Sequence, residues 1–186
     1  MIFLDFNFFI ILIYMVKFNP KRKPDKLKYR PIGECYLLYK GKLVAQDAGH
    51  YLSLPGGGID KGEKPIVGAK RELIEELGAK LKRPLKIVSE MTWDWNPSWA
   101  NNEKRKKRYM QFRGERVYSM IGEVESFGKP TSDEGDAWKG KKLMTLSNAN
   151  KLMNKFLNKH TPENQYAYNL TKLNIIATMN LMLNKK

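Results

Sequence analysis

The sequence predicts a single α/β domain of the mixed α+β kind, in which a mixed β-sheet is sandwiched between helices and a further helix is added at the C-terminus. Short apolar and aromatic runs of strand length alternate with turn residues along much of the chain. Two stretches show helical periodicity, residues 65–77 and residues 161–181. A length of 186 residues with 42% hydrophobic content is sufficient for one core.

The first 30 residues precede this domain, which we expect to span residues 31–186. The apolar run Phe8–Val16 is much shorter than the roughly 20 residues of a membrane-spanning helix, so no stable membrane insertion is expected. No positive charge precedes it and no small residues follow it, as a secretory signal would require. It is a membrane or partner anchor, an extra element docked on the domain, or sequence upstream of a true start at Met15, which we favour. Lys17–Arg30 is basic and Pro-containing, and predicts an extended, solvated arm.

Three short strands lead to a glycine-rich loop. Ile32–Tyr39 and Leu43–Gln46 flank Lys40-Gly41-Lys42 and predict a β-hairpin. Tyr51–Leu54 predicts a third strand. Four glycines then follow Pro55, namely Gly56, Gly57, Gly58 and Gly62. Because glycine takes positive φ and lets the backbone approach a ligand closely, this segment predicts a binding loop.

The next stretch predicts an amphipathic helix that begins at Pro65 and ends before Gly78. Proline is favoured at the first helical position and glycine just past the last one. The apolar face has spacings of 3, 4 and 4 and consists of Ile66, Ala69, Leu73 and Leu77. The polar face carries Glu72, Glu75 and Glu76 within side-chain reach of one another.

The three carboxylates repel one another unless a cation lies among them, and oxygen ligands favour Mg²⁺, Mn²⁺ or Ca²⁺ over softer metals. Arg71 precedes Glu75 by one helical turn and follows Glu63 in the loop, so it can offset part of the negative charge and tie the loop to the helix. The alternative is an ordinary solvated acidic helix face.

The stretch Gly57–Ala79 resembles the signature of the Nudix hydrolases, G-x5-E-x7-R-E-U-x-E-E-x-G-U, in which U is apolar. Every specified position is filled, by Gly57, Glu63, Arg71, Glu72, Leu73, Glu75, Glu76, Gly78 and Ala79. The resemblance implies a Nudix-type fold and a Mg²⁺-dependent enzyme, with Mn²⁺ as the alternative cofactor. Such an enzyme hydrolyses a diphosphate bond in a nucleoside diphosphate linked to another moiety.

The resemblance also implies roles for individual residues. The metal ligands would be Glu72, Glu75 and Glu76, with the carbonyl of Gly56 as a further ligand. Glu72 or Glu75 would also be the catalytic base, while Glu63 and Arg71 would hold the architecture. In Nudix enzymes a carboxylate from a late loop often joins the site, and in the polar loop Ser126–Gly140 we choose Glu134, with Asp136 second. An ordinary acidic turn is the alternative for that loop.

Downstream of the motif the chain predicts further strands and two helices. Leu81–Glu90 predicts a strand broken early by Pro84, Arg108–Phe112 and Arg116–Glu125 predict a second hairpin, and Leu143–Leu146 predicts a short strand. Ser147 or Asn148 caps a helix that runs to about Asn158. Thr161 and Pro162 begin the final helix, which closes the core or forms a homodimer contact. Its predicted inner face is Tyr166, Leu170, Leu173, Ala177 and Leu181, and Ile176 and Met179 widen the apolar stripe.

Three tryptophans lie close to a basic run. Aromatic rings beside cations can stack on bases while the cations hold phosphates. The predicted substrate-binding residues are therefore Trp93, Trp95, Trp99, Lys104 and Arg105. The alternative buries one or two of the tryptophans in the core and leaves the basic run as a solvated loop. The run Lys104–Arg108 could instead be a nuclear localisation signal.

A formal charge of +15 predicts a polyanionic partner, such as a nucleotide, RNA or an anionic surface. One cysteine excludes an internal disulfide and fits a reducing compartment, so we expect a cytoplasmic location, or a nuclear one if the basic run is a signal. Two histidines exclude a histidine-rich metal site. We favour a nucleoside triphosphate as substrate. The alternatives are hydrolysis at the 5′ end or cap of RNA, and a catalytically weak module that binds nucleotides or RNA.

Overall fold

The computed structural model describes residues 22–49, 51–131, 142–159 and 165–184. The apolar run Phe8–Val16 and the predicted Thr161-Pro162 helix start lie outside the described residues. Within the described ranges, no helix is both long and apolar enough to span a bilayer.

Seven strands and four helices follow one another in these ranges, together with two short 3₁₀ turns. In chain order they are β1 (Arg30–Tyr39), β2 (Lys42–Val44), β3 (Gln46–Asp47), β4 (Leu52–Ser53), α1 (Pro65–Leu77), β5 (Ala79–Asp94), α2 (Glu103–Gln111), β6 (Gly114–Phe127), β7 (Leu143–Met144), α3 (Leu146–Lys159) and α4 (Tyr166–Asn184).

Five of the strands form one mixed sheet in the order β5-β6-β1-β2-β7, and β3 pairs with β4 in a separate two-stranded sheet. β1 runs parallel to β6, whereas the other neighbours in the large sheet are antiparallel. The predicted first hairpin is confirmed. Lys40 and Gly41 connect β1 to β2 with φ angles of 50° and 75°, which are the positive values that a tight hairpin turn requires.

Both faces of the sheet are covered, because side chains alternate along β1. Cys35 and Leu37 lie in a core cluster with Ala69, Leu73 and Leu77 of α1. Tyr36, between them in sequence, lies in a second cluster with Phe156 of α3 and Ile176 of α4. The predicted mixed sheet sandwiched between helices, with an added C-terminal helix, is therefore confirmed.

The prediction of a second hairpin is wrong in its first strand. Residues 103–111 form α2, capped at its start by Asn102, whose side-chain oxygen accepts a hydrogen bond from the Arg105 backbone N–H at 2.9 Å. At its other end Arg22 donates to the carbonyl of Tyr109 at 2.8 Å. Tyr109 is the one buried residue of this short helix. Because the helix is short and mostly basic, it has no apolar periodicity from which it could have been predicted.

β6 has a different hairpin partner from the one predicted. It pairs antiparallel with β5, which continues well beyond the predicted end at Glu90 and reaches Asp94. Pro84 interrupts the pairing register between Arg83 and Lys86 without ending the strand. This is a bulge at an edge strand, where a missing backbone N–H is tolerated.

Two details of the C-terminal helices were also predicted incorrectly. The predicted cap of α3 was Ser147 or Asn148, but the helix begins at Leu146 and its cap is Thr145. The Thr145 hydroxyl accepts a hydrogen bond from the Asn148 N–H at 3.1 Å. The predicted inner face of α4 is partly exposed, since the exposed fractions are 51% for Tyr166, 38% for Leu170 and 62% for Leu181. Ile176 and Met179, which widened the predicted stripe, are buried as expected, together with two polar residues that were not predicted, Asn169 and Lys172. Two polar side chains on the buried face explain the wrong choice.

The contact between β1 and α1 leads to a stability prediction. A Cβ atom at Gly33 would lie 2.9 Å from the Cβ of Ala69, so Gly33→Ala should lower the free energy of unfolding by about 1 to 3 kcal/mol. Ala69→Gly alone should cost about 1 kcal/mol through helix propensity. In the double variant the clashing methyl is gone, so urea denaturation should show a loss smaller than the sum of the two single losses. Additive losses would show that this contact does not limit the packing.

Candidate active site

The glycine loop is bound along the edge of β1. The Gly33 N–H donates to the Gly57 carbonyl at 2.9 Å, and the Cys35 N–H donates to the Pro55 carbonyl at 2.9 Å. Gly56 between them has a φ of 132°, and a Cβ at this position would lie 2.2 Å from the Gly33 carbonyl oxygen. Only glycine fits here, so the loop backbone lies directly against the strand.

Arg71 connects this loop to α1. Its guanidinium donates to the Gly58 carbonyl at 2.9 Å and to the two oxygens of Glu63 at 3.1 and 3.3 Å. The same group donates to Glu72 at 3.0 Å and to Glu75 at 3.2 Å. Hydrogen bonds from Arg71 hold the pKa of the Glu63 carboxyl below its usual value. The connection between loop and helix that the sequence predicted is present.

The glutamates of α1 line one cavity of about 520 Å³ together with the glycine loop, and we call it the carboxylate cavity. A Cβ at Gly57 would lie 2.2 Å from a carboxylate oxygen of Glu72. Any side chain at this position would therefore clash with that carboxylate. Glu76 accepts a hydrogen bond from the Gly56 N–H at 3.0 Å. The structure thus brings together the four predicted metal-site residues, Gly56, Glu72, Glu75 and Glu76.

The groups of this cavity that could ligate a metal are carboxylate and carbonyl oxygens, which suit a hard cation such as Mg²⁺. Among the residues that the structure describes, no three Asp, Glu, His or Cys side chains are gathered closely enough to hold a metal ion. The geometry explains this, because Arg71 engages Glu72 and Glu75, while Glu76 bonds to the loop backbone. Metal binding would require these carboxylates to reorient.

The carboxylate cavity also has a basic wall. It includes the predicted residues Lys104 and Arg105 of α2, and two residues that the sequence analysis did not select, Arg30 and Arg108. Arg30 stands at the start of β1, inside a stretch that looked like a solvated arm. Its position just before the first strand was the available signal. The cavity thus combines these cations with the carboxylates of α1, which suits a polyphosphate with a bound metal ion.

The tryptophans lie in a third core cluster beside this cavity. Trp95 is only 3% exposed and stacks against Trp99 with ring centres 3.8 Å apart. Trp93 stacks against Tyr168 of α4 at 5.8 Å. Trp93, Trp99 and Tyr168 line a second cavity of about 390 Å³, which we call the aromatic cavity, whereas Trp95 does not line it. Burial of one or two tryptophans in the core, the alternative considered for these residues, describes Trp93 and Trp95, which are 8% and 3% exposed.

Two ion pairs stand between the two cavities. Glu34 lines the carboxylate cavity, and its carboxylate lies 2.7 Å from the ammonium of Lys172, which lines the aromatic cavity. Likewise Arg30 lines the first cavity and Glu115 the second, with 3.7 Å between their charged groups. The hydroxyl of Tyr168 also donates to Glu34. These pairs could not be predicted from the sequence, because each joins distant parts of the chain.

Glu134 and Asp136, the late-loop carboxylates chosen from the sequence, lie outside the described residues. Their roles stay predictions.

Comparison with known proteins agrees with this geometry. A NUDIX domain family model matches residues 29–164. A protein of Brucella anthropi named RNA pyrophosphohydrolase is 31% identical over 144 residues, which cover 66% of this chain and 81% of that relative. One of the same name from Agrobacterium fabrum is 31% identical over 145 residues, or 67% and 84% of the two chains. The structure of a NUDIX hydrolase from Nitrosomonas europaea has a TM-score of 0.50 at 14% identity and covers 78% of this chain and 90% of that one, a likeness in fold.

The burial of Glu115 predicts a pH dependence of stability. Burial raises the pKa of this carboxyl from 4.5 to about 7, and the negative charge of Glu34 raises it further. The positive charges of Arg30, Arg108 and Lys172 lower it, but by less than burial raises it. A raised carboxyl pKa stabilises the fold below the unfolded value, and this contribution is lost as the pH rises towards 7. The loss should reach up to about 3 kcal/mol.

Urea denaturation between pH 4.5 and 8 measures this effect. The free energy of unfolding of the wild type, relative to Glu115→Gln, should fall across this range, because glutamine does not titrate. Glu125→Gln, at an exposed position of the same strand, is the matched control and should follow the wild type. A constant difference between wild type and Glu115→Gln would contradict the raised pKa.

Proposed function

Because the chain belongs to the Nudix hydrolase family, and is thus a pyrophosphohydrolase that acts on phosphoric anhydride bonds, we propose that it removes diphosphate from the 5′ end of triphosphorylated RNA. Water attacks one phosphorus atom and the anhydride bond between the α and β phosphates breaks. The products are diphosphate and an RNA with a 5′ monophosphate.

One observation carries this proposal: the carboxylate cavity combines three glutamates of α1 with a wall of Arg and Lys side chains. The relatives named RNA pyrophosphohydrolase support RNA as the substrate. The formal charge of +15 supports it as well, since it favours a long polyanion over a small one.

We propose Mg²⁺ as the cofactor, with Mn²⁺ as the alternative; Nudix hydrolases generally use divalent metals. Glu72, Glu75, Glu76 and the carbonyl of Gly56 would hold it. When bound, such a cation neutralises phosphate oxygens and lowers the pKa of a bound water. Arg71 maintains the position of the loop against α1. The group that takes the proton from the attacking water is Glu72, Glu75 or Glu134.

The basic wall would bind the phosphates of the substrate. Four residues supply cationic hydrogen-bond donors to the lining of the cavity, namely Arg30, Lys104, Arg105 and Arg108. Guanidinium groups form paired hydrogen bonds with phosphate oxygens, and they remain charged at all working pH values. These residues would therefore orient the triphosphate so that its anhydride bond faces the carboxylates.

A free nucleoside triphosphate is the second candidate substrate. It carries the same triphosphate group, and the described residues form one domain without a separate RNA-binding module. A binding module without turnover is the third candidate. The three differ in their products and in their response to salt.

The proposal predicts the effect of neutralising one glutamate. Glu75→Gln keeps the shape of the side chain but removes its charge, so kcat/KM on 5′-triphosphorylated RNA should fall by a factor of about 10² to 10⁴. Glu125→Gln, exposed on β6, should retain wild-type activity. The measurement is diphosphate release with Mg²⁺ or Mn²⁺, with the RNA product identified by mass.

The substrate panel should contain triphosphorylated RNA, capped RNA and the four nucleoside triphosphates. A higher kcat/KM for RNA than for the free nucleotides supports the proposal, and the reverse order supports the second candidate. No turnover of any member, in a protein that still binds RNA, supports the binding module. Equal rates for Glu75→Gln and wild type would exclude a role of this carboxylate in catalysis.

A second prediction concerns the basic wall. Single-stranded RNA binding weakens with salt in proportion to the phosphates contacted, with a slope of about 0.7 per contact. Lys104→Ala and Arg105→Ala should each reduce the salt dependence of KM for RNA by about that amount. Lys107→Ala, on the same helix but exposed and not lining the cavity, is the control and should leave the slope unchanged. If the salt dependence of KM in all three variants equalled that of the wild type, the RNA would not contact Lys104 or Arg105.

A further inference from the structure

We propose that Arg22 is a positioning residue for substrate binding, because it fixes the end of the helix that carries most of the basic wall. The cations of that wall that belong to α2 are Lys104, Arg105 and Arg108. This inference rests on the proposed function, since it assumes that the phosphates of the substrate meet the basic wall. It assigns a role to a residue in the stretch that the sequence predicted as a solvated arm.

The helix α2 has little stability of its own. Its nine residues are fewer than the roughly 12 to 15 that an isolated helix needs in water. Residues 104–108 are all basic, and like charges one helical turn apart repel each other. Tyr109 is the one buried residue of the helix, so apolar packing adds little. The position of its cations therefore depends on what holds its two ends.

Arg22 holds the C-terminal end of α2. Its guanidinium donates to the carbonyl of Tyr109 at 2.8 Å and to the carbonyls of Phe112 and Arg113 at 3.0 Å each. The last carbonyls of a helix have no partner within the helix and carry a partial negative charge, so a cation with several N–H donors suits them. The same guanidinium lies 3.8 Å from the ring centre of Tyr109, which adds a cation–π contact.

The two ends together fix the direction in which the basic side chains point. Asn102 caps the N-terminal end through the Arg105 N–H. Lys104 and Arg105 precede Arg108 by four and three residues, so the three side chains share one face of the helix. Of the described residues that line the carboxylate cavity, none is Arg22. Arg22 therefore acts on bound phosphates through α2 and not by direct contact.

The first measurement is the kinetics of diphosphate release from 5′-triphosphorylated RNA by the full chain. Arg22→Gln removes the charge and the fork of donors, so KM should rise by about 5- to 50-fold. The turnover number kcat should stay within about twofold of the wild-type value, because Arg22 does not contact the carboxylates of α1. The salt dependence of KM should fall by about 0.7 for each phosphate contact of α2 that is lost, or up to about 2.

Two further variants control this result. Arg22→Lys keeps the charge but donates from a single nitrogen, so it should give a KM between those of the wild type and Arg22→Gln. Lys23→Gln removes the same charge from the neighbouring, exposed side chain and should keep the wild-type KM and salt dependence. An equal rise of KM in Lys23→Gln and Arg22→Gln would show a general effect of charge and would overturn the inference.

A double-mutant cycle separates positioning from direct phosphate binding. Because Arg22 acts through α2, Arg105→Ala should raise KM less in the Arg22→Gln background than in the wild type. Two effects on KM that simply multiply would show that Arg22 acts independently of α2, and would overturn the inference.

Hydrogen exchange tests the same role without a substrate. In Arg22→Gln the backbone amides of residues 107–111 should exchange about tenfold faster than in the wild type, because α2 frays from the released end. The amides of α1 should keep their wild-type rates. Unchanged exchange in α2 would overturn the inference. Faster exchange in α1 as well would show a general loss of structure and would also overturn it.

These outcomes are separable from those of the proposed function. A chain that releases diphosphate from RNA with the same KM in Arg22→Gln disproves only the positioning role. A chain that cleaves no RNA disproves only the proposed reaction. In that case hydrogen exchange, and the affinity for 5′-triphosphorylated RNA measured by fluorescence anisotropy in place of KM, still test the role of Arg22.

Discussion

The candidate site depends on the guanidinium of Arg71. This one group contacts the loop at Gly58 and Glu63 and the helix at Glu72 and Glu75. Without it, the glycine loop would be attached to the domain mainly through its backbone bonds to β1, and the helix carboxylates would repel one another unopposed. The same cation therefore maintains the loop geometry and allows an acidic helix face to exist beside it.

A buried ion pair fixes the C-terminal helix. Glu34 of β1 is buried and accepts hydrogen bonds from Tyr36 and Tyr168 while it pairs with Lys172. Lys172 also donates to the carbonyl of Leu52, in the strand that leads to the glycine loop. Removing one partner of such a pair leaves an uncompensated buried charge, at a cost of about 3 to 5 kcal/mol. The helix is thereby held in one register, and the two cavities keep their common wall.

The sequence predicted the parts of the fold that depend on neighbouring residues. The first hairpin follows from Lys40 and Gly41, and α1 follows from Pro65, its apolar spacing and Gly78, so both could be recognised locally. The inner face of α4 could not, because Lys172 is buried by its pairing with Glu34, a residue far away in the sequence. Hydrophobic periodicity assigns such a lysine to the surface, so the predicted face includes Ile176 and Met179 but is centred away from Lys172.

In the candidate site too, the sequence predicted what depends on neighbouring residues and not what depends on distant ones. The residues within the motif could be assigned by position, and the structure places them around one cavity. The pairing of Arg30 with Glu115 could not be found from the sequence, because only the parallel pairing of β1 with β6 brings Arg30 opposite Glu115. Trp95 was equally ambiguous, since a tryptophan near a basic run looks the same whether it stacks on a ligand or beneath another ring.

The charges around the carboxylate cavity explain why metal and substrate would depend on each other. It is lined by four acids, Glu34, Glu72, Glu75 and Glu76, and by four bases, Arg30, Lys104, Arg105 and Arg108. Glu34 is already matched by Lys172, Arg30 by Glu115, and Arg71, which also contacts Glu72 and Glu75, by Glu63, so three glutamates and three cations remain. A polyphosphate meets repulsion and attraction of similar size in this arrangement. A divalent cation among the glutamates would make the net charge of the cavity positive. The substrate would then bind well only together with the ion, and the bound substrate would in turn raise the affinity for the ion.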